Sequence, residues 1–409
     1  MASLPQVGGD AGNWGTKLND FLLTGHNTDG TTKNSMSVIN VRDFGAHSIT
    51  EAGYESFDST SAIQAAINAT ISGQTGGVVF LPSGTYVLGT KLTVSTAKAL
   101  KIIGDGSAQT ILKWTALDGG LDITYTTESL PPSVVGLSLW NTDLQNSTAL
   151  KITCSPVATL STNSGFIIDD ISIRGSDETA NSWDIGIHLI DCWYPKLTSI
   201  YIKGQTANSN PFASTAGVKF ERVQVFTMSD FAIWHVEIAI LQTGITYGEG
   251  VRLKDFEIVG VTTGIYLAAY GAPGTVISDG HINSYVYGIL AENKPQLDIH
   301  DMLIYKTHNS TSDWIGIQMA NCPNLNISHN DIHGSGSATG ANYGMLITST
   351  EGGIVADNQI DSFSVEAAGI ILGSDTKDMV VHGNLGGYRV YPIIYAPSKF
   401  PNFIYNNYP

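Results

Sequence analysis

The 409-residue chain has no uninterrupted apolar run of about 18 residues, so no membrane-spanning helix is expected. Its opening, MASLPQVGGDAGNWG, lacks the basic and apolar regions of a secretory signal, so the product is expected to leave the cell by another route, such as lysis, or to stay inside. Cysteine is scarce: Cys154, Cys192 and Cys322 are widely spaced and form no CxxC pair. That excludes a disulfide framework and a thiolate metal site, and leaves buried free thiols. Basic residues are few as well, 20 Lys and Arg against 36 Asp and Glu, for a net charge of −16. With no Lys/Arg block, nucleic acid and anionic membranes are poor partners. The acidic balance also disfavours a strongly anionic substrate unless a local basic patch exists. What is plentiful is glycine, at 44 residues, beside only 14% charged residues. This suits a turn-rich β protein, and a chain this long can grow by repetition.

The repetition is visible. NLNISHNDIHGSG carries Asn330 between two strand-like pieces. LKDFEIVG (Asp255), VISDGHINS (Gly280), LDIHDMLIYK (Asp301), IVADNQIDS (Asn358) and VVHGNLGG (Gly383) repeat the pattern, as do IIDDISIRG (Asp170) and MSDFAIW (Asp230) upstream. A second signature follows each: GIHL at Gly186, GVKF at Gly217, AIL at Ala239, GIYL at Gly264, GILA at Gly288, GIQM at Gly316, GMLI at Gly344 and GIIL at Gly369. Self-similarity with a period of about 20 to 50 residues marks a stacked-repeat protein. Each unit holds three short alternating segments and no helix-length apolar period.

The expected fold is all-β: a right-handed parallel β-helix, three strands per coil, with strands stacked about 4.8 Å apart and alternate residues in a dry core. Asn330, Asp255, Asp301 and Asn358 then occupy the sharp bend between the second and third strands. There a positive φ is needed, and stacked amides can hydrogen-bond between coils. These are corner residues rather than catalysts. An exposed stack end would pair with other chains. DSTSAIQAAINATI is a fitting cap: Asp58 or Ser59 can start a helix whose Ala62, Ile63, Ala66 and Ile67 share one face.

The order VINVRDFGA, DSTSAIQAAINA, GGVVFLPSGTYVL resembles the start of the pectate-lyase-like β-helix domain of polysaccharide-cleaving enzymes. With the coils, the resemblance covers residues 38 to about 395. The preceding GNWGTKLNDFLLTGHNTDGTTK looks like a short module of phage tail proteins. Together these resemble tailspikes, the capsular polysaccharide depolymerases of tailed bacteriophages. The resemblance implies a homotrimer on the virion tail, attached to tail or baseplate through its N-terminal segment. It implies bacterial capsular or exopolysaccharide as the partner. Residues 1–37 are then an attachment segment, 38–400 a catalytic β-helix and 401–409 a C-terminal tail. The N-terminal segment is short for a particle-binding domain, and no trimerising domain follows residue 400.

A β-helix flank offers a long groove suited to a polymer. Aromatic residues cluster in the middle coils: Trp183, Trp193, Tyr194, Trp234, Tyr266, Tyr270, Tyr285, Tyr287 and Trp314. Counting outward from the GIxL strand puts His188, Lys219, Leu241, Tyr266, Leu290 and Gln318 in one column. Glu221 lies two residues further, and Asp184, Glu237 and Trp314 lie two residues before the glycine position. Asp184, Glu221 and Glu237 therefore fall within three coils, with Arg222 close by. A solvated groove is the plainer reading of each carboxylate.

Two reactions fit. Hydrolysis needs two carboxyl groups, about 5 Å apart for retention or 6.5–9.5 Å for inversion. Asp184 and Glu237, two coils apart, stand about 9–10 Å from each other by strand spacing. Elimination needs a base beside a uronic acid and a cation on its carboxylate, roles open to His188 and Lys219. The three carboxylates favour the hydrolase. Trp183, Trp193, Tyr266, Trp314, Arg222 and Gln318 are the expected substrate contacts. No cofactor and no metal site is indicated. The alternatives are a polysaccharide lyase, a receptor-binding spike that does not cut, and a bacterial uronan epimerase.

Overall fold

The computed structural model describes residues 16–19, 37–386, 394–395 and 402–408, except for 74–75, 127–131, 143, 155–166, 207–211, 245–247, 269–272, 308–309, 335–340 and 362–366. The expected tail module therefore lies outside the described residues except at 16–19, and Tyr270 lies outside them altogether.

The backbone winds as a right-handed parallel β-helix. One coil shows the plan: Trp314–Ala320 in a first sheet, Leu325–Ser328 in a second, Asp331–His333 in a third. The next coil repeats it as Asn342–Thr348, Glu351–Ala356 and Gln359–Asp361, each strand pairing in parallel with its predecessor. Strand Phe403–Tyr405, within the segment expected as a tail, pairs on the second sheet against Lys377–His382.

The core follows from the alternation. On the third sheet Ile173, Ile202, Ile233, Ile258, Ile282, Ile304, Ile332 and Ile360 are in register from coil to coil. Each is buried. At roughly 2 kcal/mol per buried side chain, one such column outweighs any single polar contact. The GIxL glycine has a steric cause. A Cβ on Gly288 would stand 2.4 Å from both the Gly316 carbonyl oxygen and Ile304 Cγ2. The first and third sheets pinch together there, and of that row Ala149 and Ala239 carry a methyl.

The bend between second and third strands matches expectation with one correction. The left-handed residue is His329 (φ 58°) or Asp357 (φ 55°), one position before the asparagine. Asn330 and Asn358 instead turn inward. Asn358 Oδ1 accepts from the Asn330 backbone N–H at 3.0 Å and from its side-chain amide at 2.9 Å. Asn358 donates in turn to Asn384, and Asn384 to Asn407. An amide ladder thus answers why asparagine sits inside a sheet corner: it satisfies buried backbone groups that no strand reaches.

The helix Thr60–Ser72 packs against Ser37–Asn40, Gly76–Leu81 and Leu92–Thr96, with Ala62, Ile63, Ala66 and Ile67 buried as expected. Asp58 begins it, accepting from Thr60 N–H at 2.9 Å. Among the described residues no helix is long and apolar enough to cross a membrane.

Candidate active site

Strand register on the first sheet gathers charged residues on its outward face. His188 lies beside Lys219 on one side and Lys151 on the other, and Lys151 lies beside Asp122. Leu241, Tyr266, Leu290 and Gln318 continue the column. Adjacent members stand about 5 Å apart because strands in a sheet do. Glu221, two residues along the strand from Lys219, reaches back into the column. Its Oε1 accepts from Lys219 Nζ at 2.8 Å and lies 3.0 Å from His188 Nε2.

The electrostatics of this triplet are defined. Burial, reinforced by Lys219 and Lys151, pulls the His188 imidazole below its ordinary range despite Glu221. Burial opposes ionisation of Glu221, but the hydrogen bonds from Lys219 and His188 outweigh it and hold the carboxyl below the usual range. Near neutral pH His188 is therefore uncharged and Glu221 ionised. An ionised carboxylate only accepts, so Nε2 carries the imidazole proton and Nδ1 the free lone pair. At the next corner Arg222 forks onto Asp191, Nε to Oδ1 at 2.6 Å and an Nη to Oδ2 at 2.9 Å.

The other carboxylates are held apart from this triplet. Asp184 Oδ1 accepts from the Thr215 hydroxyl, and Glu237 Oε2 from the Thr262 hydroxyl at 2.9 Å and Phe212 N–H at 3.2 Å. Thr215, on the coil between Asp184 and Glu237, stands between them.

Two expected sugar contacts need correction. Trp183 is 3% exposed and its Nε1 donates to the Leu139 carbonyl; Trp314 is 1% exposed and donates to Ser284. Both indoles fill the core: Trp183 holds an inward place in the alternation count, whereas Trp314 falls at an outward one and turns inward where the chain enters the strand. Trp193 is nearly covered, and its neighbour Tyr194 is the exposed ring. Tyr266 and Gln318 do face outward from the column; Tyr266 donates its hydroxyl to Glu292 at 2.9 Å.

Lys151 and Asp122 did not figure among the expected site residues, although the signal exists. GLDI at Gly120 and ALKI at Ala149 continue the GIxL row two coils upstream. Asp191 escaped because its pairing with Arg222 spans a corner, where strand counting stops.

No group of three or more His, Cys, Asp or Glu among the described residues could hold a metal ion.

Three parallel sheets wound as one coil, with a charged column on the first, define a β-helix protein of the pectate-lyase type. The chain belongs to the rhamnogalacturonase A/epimerase, pectate-lyase-like family, whose model matches residues 38–289. The model of NosD, described as a periplasmic copper-binding protein, matches the overlapping residues 198–408; the described residues offer no ligand set for copper. No curated protein matches the chain. Among solved structures, the A-module of a mannuronan C-5 epimerase from Azotobacter vinelandii is similar at 16% identity and TM-score 0.61, over 90% of this chain and 97% of that one. A mutant DFA-IIIase from Arthrobacter chlorophenolicus in complex with DFA-III is similar at 9% identity and TM-score 0.59, over 84% and 94%. Tailspike protein 3 of bacteriophage CBA120 is similar at 12% identity and TM-score 0.53, over 90% of this chain and 61% of that chain.

Proposed function

We propose that the protein acts on a uronate-containing polysaccharide by removing the proton at C5 of a uronic acid. The observation that carries this reading is His188: a half-buried, uncharged imidazole in register between two lysines, with Glu221 fixing its tautomer. His188 Nδ1 takes the C5 proton. Lys219 and Lys151 balance the negative charge that then spreads onto the substrate carboxylate, much as an oxyanion hole would. The C5 electron pair either forms a C4=C5 double bond and expels O4, which takes up a proton, or is reprotonated from the opposite face. The first outcome is elimination, the second epimerisation. Both lysines are paired in the free protein, Lys219 with Glu221 at 2.8 Å and Lys151 with Asp122 at 3.6 Å, so a substrate uronate shares them with these carboxylates rather than meeting a net basic patch.

Paired-carboxylate hydrolysis, the first expectation, is supported less well. Asp184 and Glu237 are each bound to a threonine hydroxyl, and Glu221 is ionised beside the Lys219 ammonium, the wrong state for a general acid. Arg222, Tyr266 and Gln318 border the column and serve as substrate contacts in this reading. The N-terminal motif and the tailspike likeness support a phage-tail homotrimer acting on bacterial capsule, with residues 1–37 as attachment segment and 38–400 as catalytic body.

The test is incubation with typed capsular and uronate polymers in deuterated water. Elimination gives an unsaturated product absorbing in the ultraviolet, and epimerisation gives deuterium at C5. His188→Ala is expected to lower either rate by about 10²- to 10⁴-fold. New reducing ends without either signature, or full activity in His188→Ala, would overturn the assignment.

A further inference from the structure

A second groove lies on a different flank, along the corner between the second and third sheets. It is an open depression of about 580 Å³, within the range of ligand-binding clefts. Its shape comes from one small residue. Tyr201, Ala232 and Glu257 occupy the same outward position on three successive coils of the third sheet. Ala232 leaves a depression one coil wide between a ring and a carboxylate. Trp234 meets the Tyr201 ring edge to face at 5.4 Å and steadies it as a wall. Burial raises the Tyr201 phenol, so it stays protonated.

The chemistry of the lining is one-sided. Asp170, Asp230 and Asp255 are its corner residues, each at positive φ, and no Lys, Arg or His lines it. Ser107 closes one end by donating backbone N–H and hydroxyl to Asp170 at 3.0 and 2.5 Å, and Ser138 ties down the Ser107 carbonyl at 2.6 Å. Glu257 keeps a half-exposed carboxylate 3.9 Å from His281, whose imidazole burial holds below its ordinary range. The groove therefore offers acceptors and an aromatic face. It repels anions and suits a ligand rich in hydroxyl or amine donors.

The geometry points to a second saccharide-binding site, for a neutral or amino-sugar stretch of a polymer, separate from the charged column of the first sheet. The groove has no cation in its lining, whereas the first sheet holds Lys219 and Lys151, so uncharged or amino sugars suit the groove. The site stands without the C5 chemistry, because its readout is binding alone.

The test is titration of the full chain with short cello-, malto- and chitosan-oligosaccharides, and with oligogalacturonate as the anionic control, followed by calorimetry. At least one neutral or amino oligosaccharide is expected to bind. Ala232→Trp, which fills the depression, and Tyr201→Ala are each expected to weaken binding at least tenfold, while His188→Ala leaves it unchanged. Should Ala232→Trp fold poorly, Glu257→Lys at a half-exposed side chain is expected to weaken the chitosan oligomer at least fivefold. No binding by any uncharged or amino probe, or binding indifferent to Tyr201→Ala and Glu257→Lys, overturns the proposal.

Discussion

Lys294 is wholly buried, and among the described residues its ammonium makes a long hydrogen bond, 3.4 Å to the Gly248 carbonyl. Burial lowers its pKa from an ordinary 10.5 to about 8, against a small opposing effect of Cys322. By proton linkage that fall corresponds to roughly 3 kcal/mol. The sign follows from counting protons. Below pH 8 the ammonium is carried by folded and unfolded chains alike, and its burial destabilises the fold in full. Between about 8 and 10.5 the folded chain has released the proton while the unfolded chain keeps it, so stability rises with pH. Above that window the penalty is gone. Lys294→Met keeps the length of the side chain and removes the charge. It is expected to stabilise the protein by roughly 3 kcal/mol at pH 7, with the advantage shrinking towards zero by pH 10.5. Guanidinium unfolding of both variants at several pH values, with amide exchange near Lys294 as a local readout, measures it. A difference below about 1 kcal/mol at pH 7, or one constant from pH 7 to 10.5, refutes the reasoning.

The lowered pKa of His188 places the acidic limb of the pH–rate profile below its ordinary 6.5. Activity should rise through that limb as the imidazole loses its proton and be full at neutral pH. In Glu221→Gln the amide can donate to Nε2 and release the fixed tautomer, so the profile should change shape as well as height; an unchanged profile counts against His188 as base. Asn358→Ala removes the acceptor of two Asn330 donors and strands buried carbonyls at Ile327 and Ala356. A loss of about 2–4 kcal/mol is expected in denaturant unfolding, and a loss under about 0.5 kcal/mol would show the ladder to be ornamental.

The three-sheet coil was legible because its causes are local and repeat. Each GIxL glycine is forced by the same pinch, and each corner by the same left-handed residue, so both leave a mark every coil. The outward column of His188, Lys219, Tyr266 and Gln318 was legible for the same reason: strand alternation needs no knowledge of neighbours. Failures fall where alternation stops. Trp314 sits at a strand beginning, where the chain enters from a loop and the side chain turns into the core, whereas the inward place of Trp183 follows from its parity with Ile187. The positive φ was placed correctly at Asp255 and Asp301 but one residue late at Asn330 and Asn358, where His329 and Asp357 carry it. Only the hydrogen bonds show that the asparagine is spent on the ladder. The state of Glu221 was out of reach too, since it depends on which of several nearby cations actually touches it.

Each coil touches only the coil before and the coil after, and Asp298 lies directly under Asn326. Excising the stretch from one to the other would lower the column by a single storey and leave every remaining pair aligned. Length in this molecule is thus an adjustable quantity. Whole storeys can be gained or lost without redesigning the interior, and a flank that reads sugars can be lengthened or shortened to match the polymer laid along it.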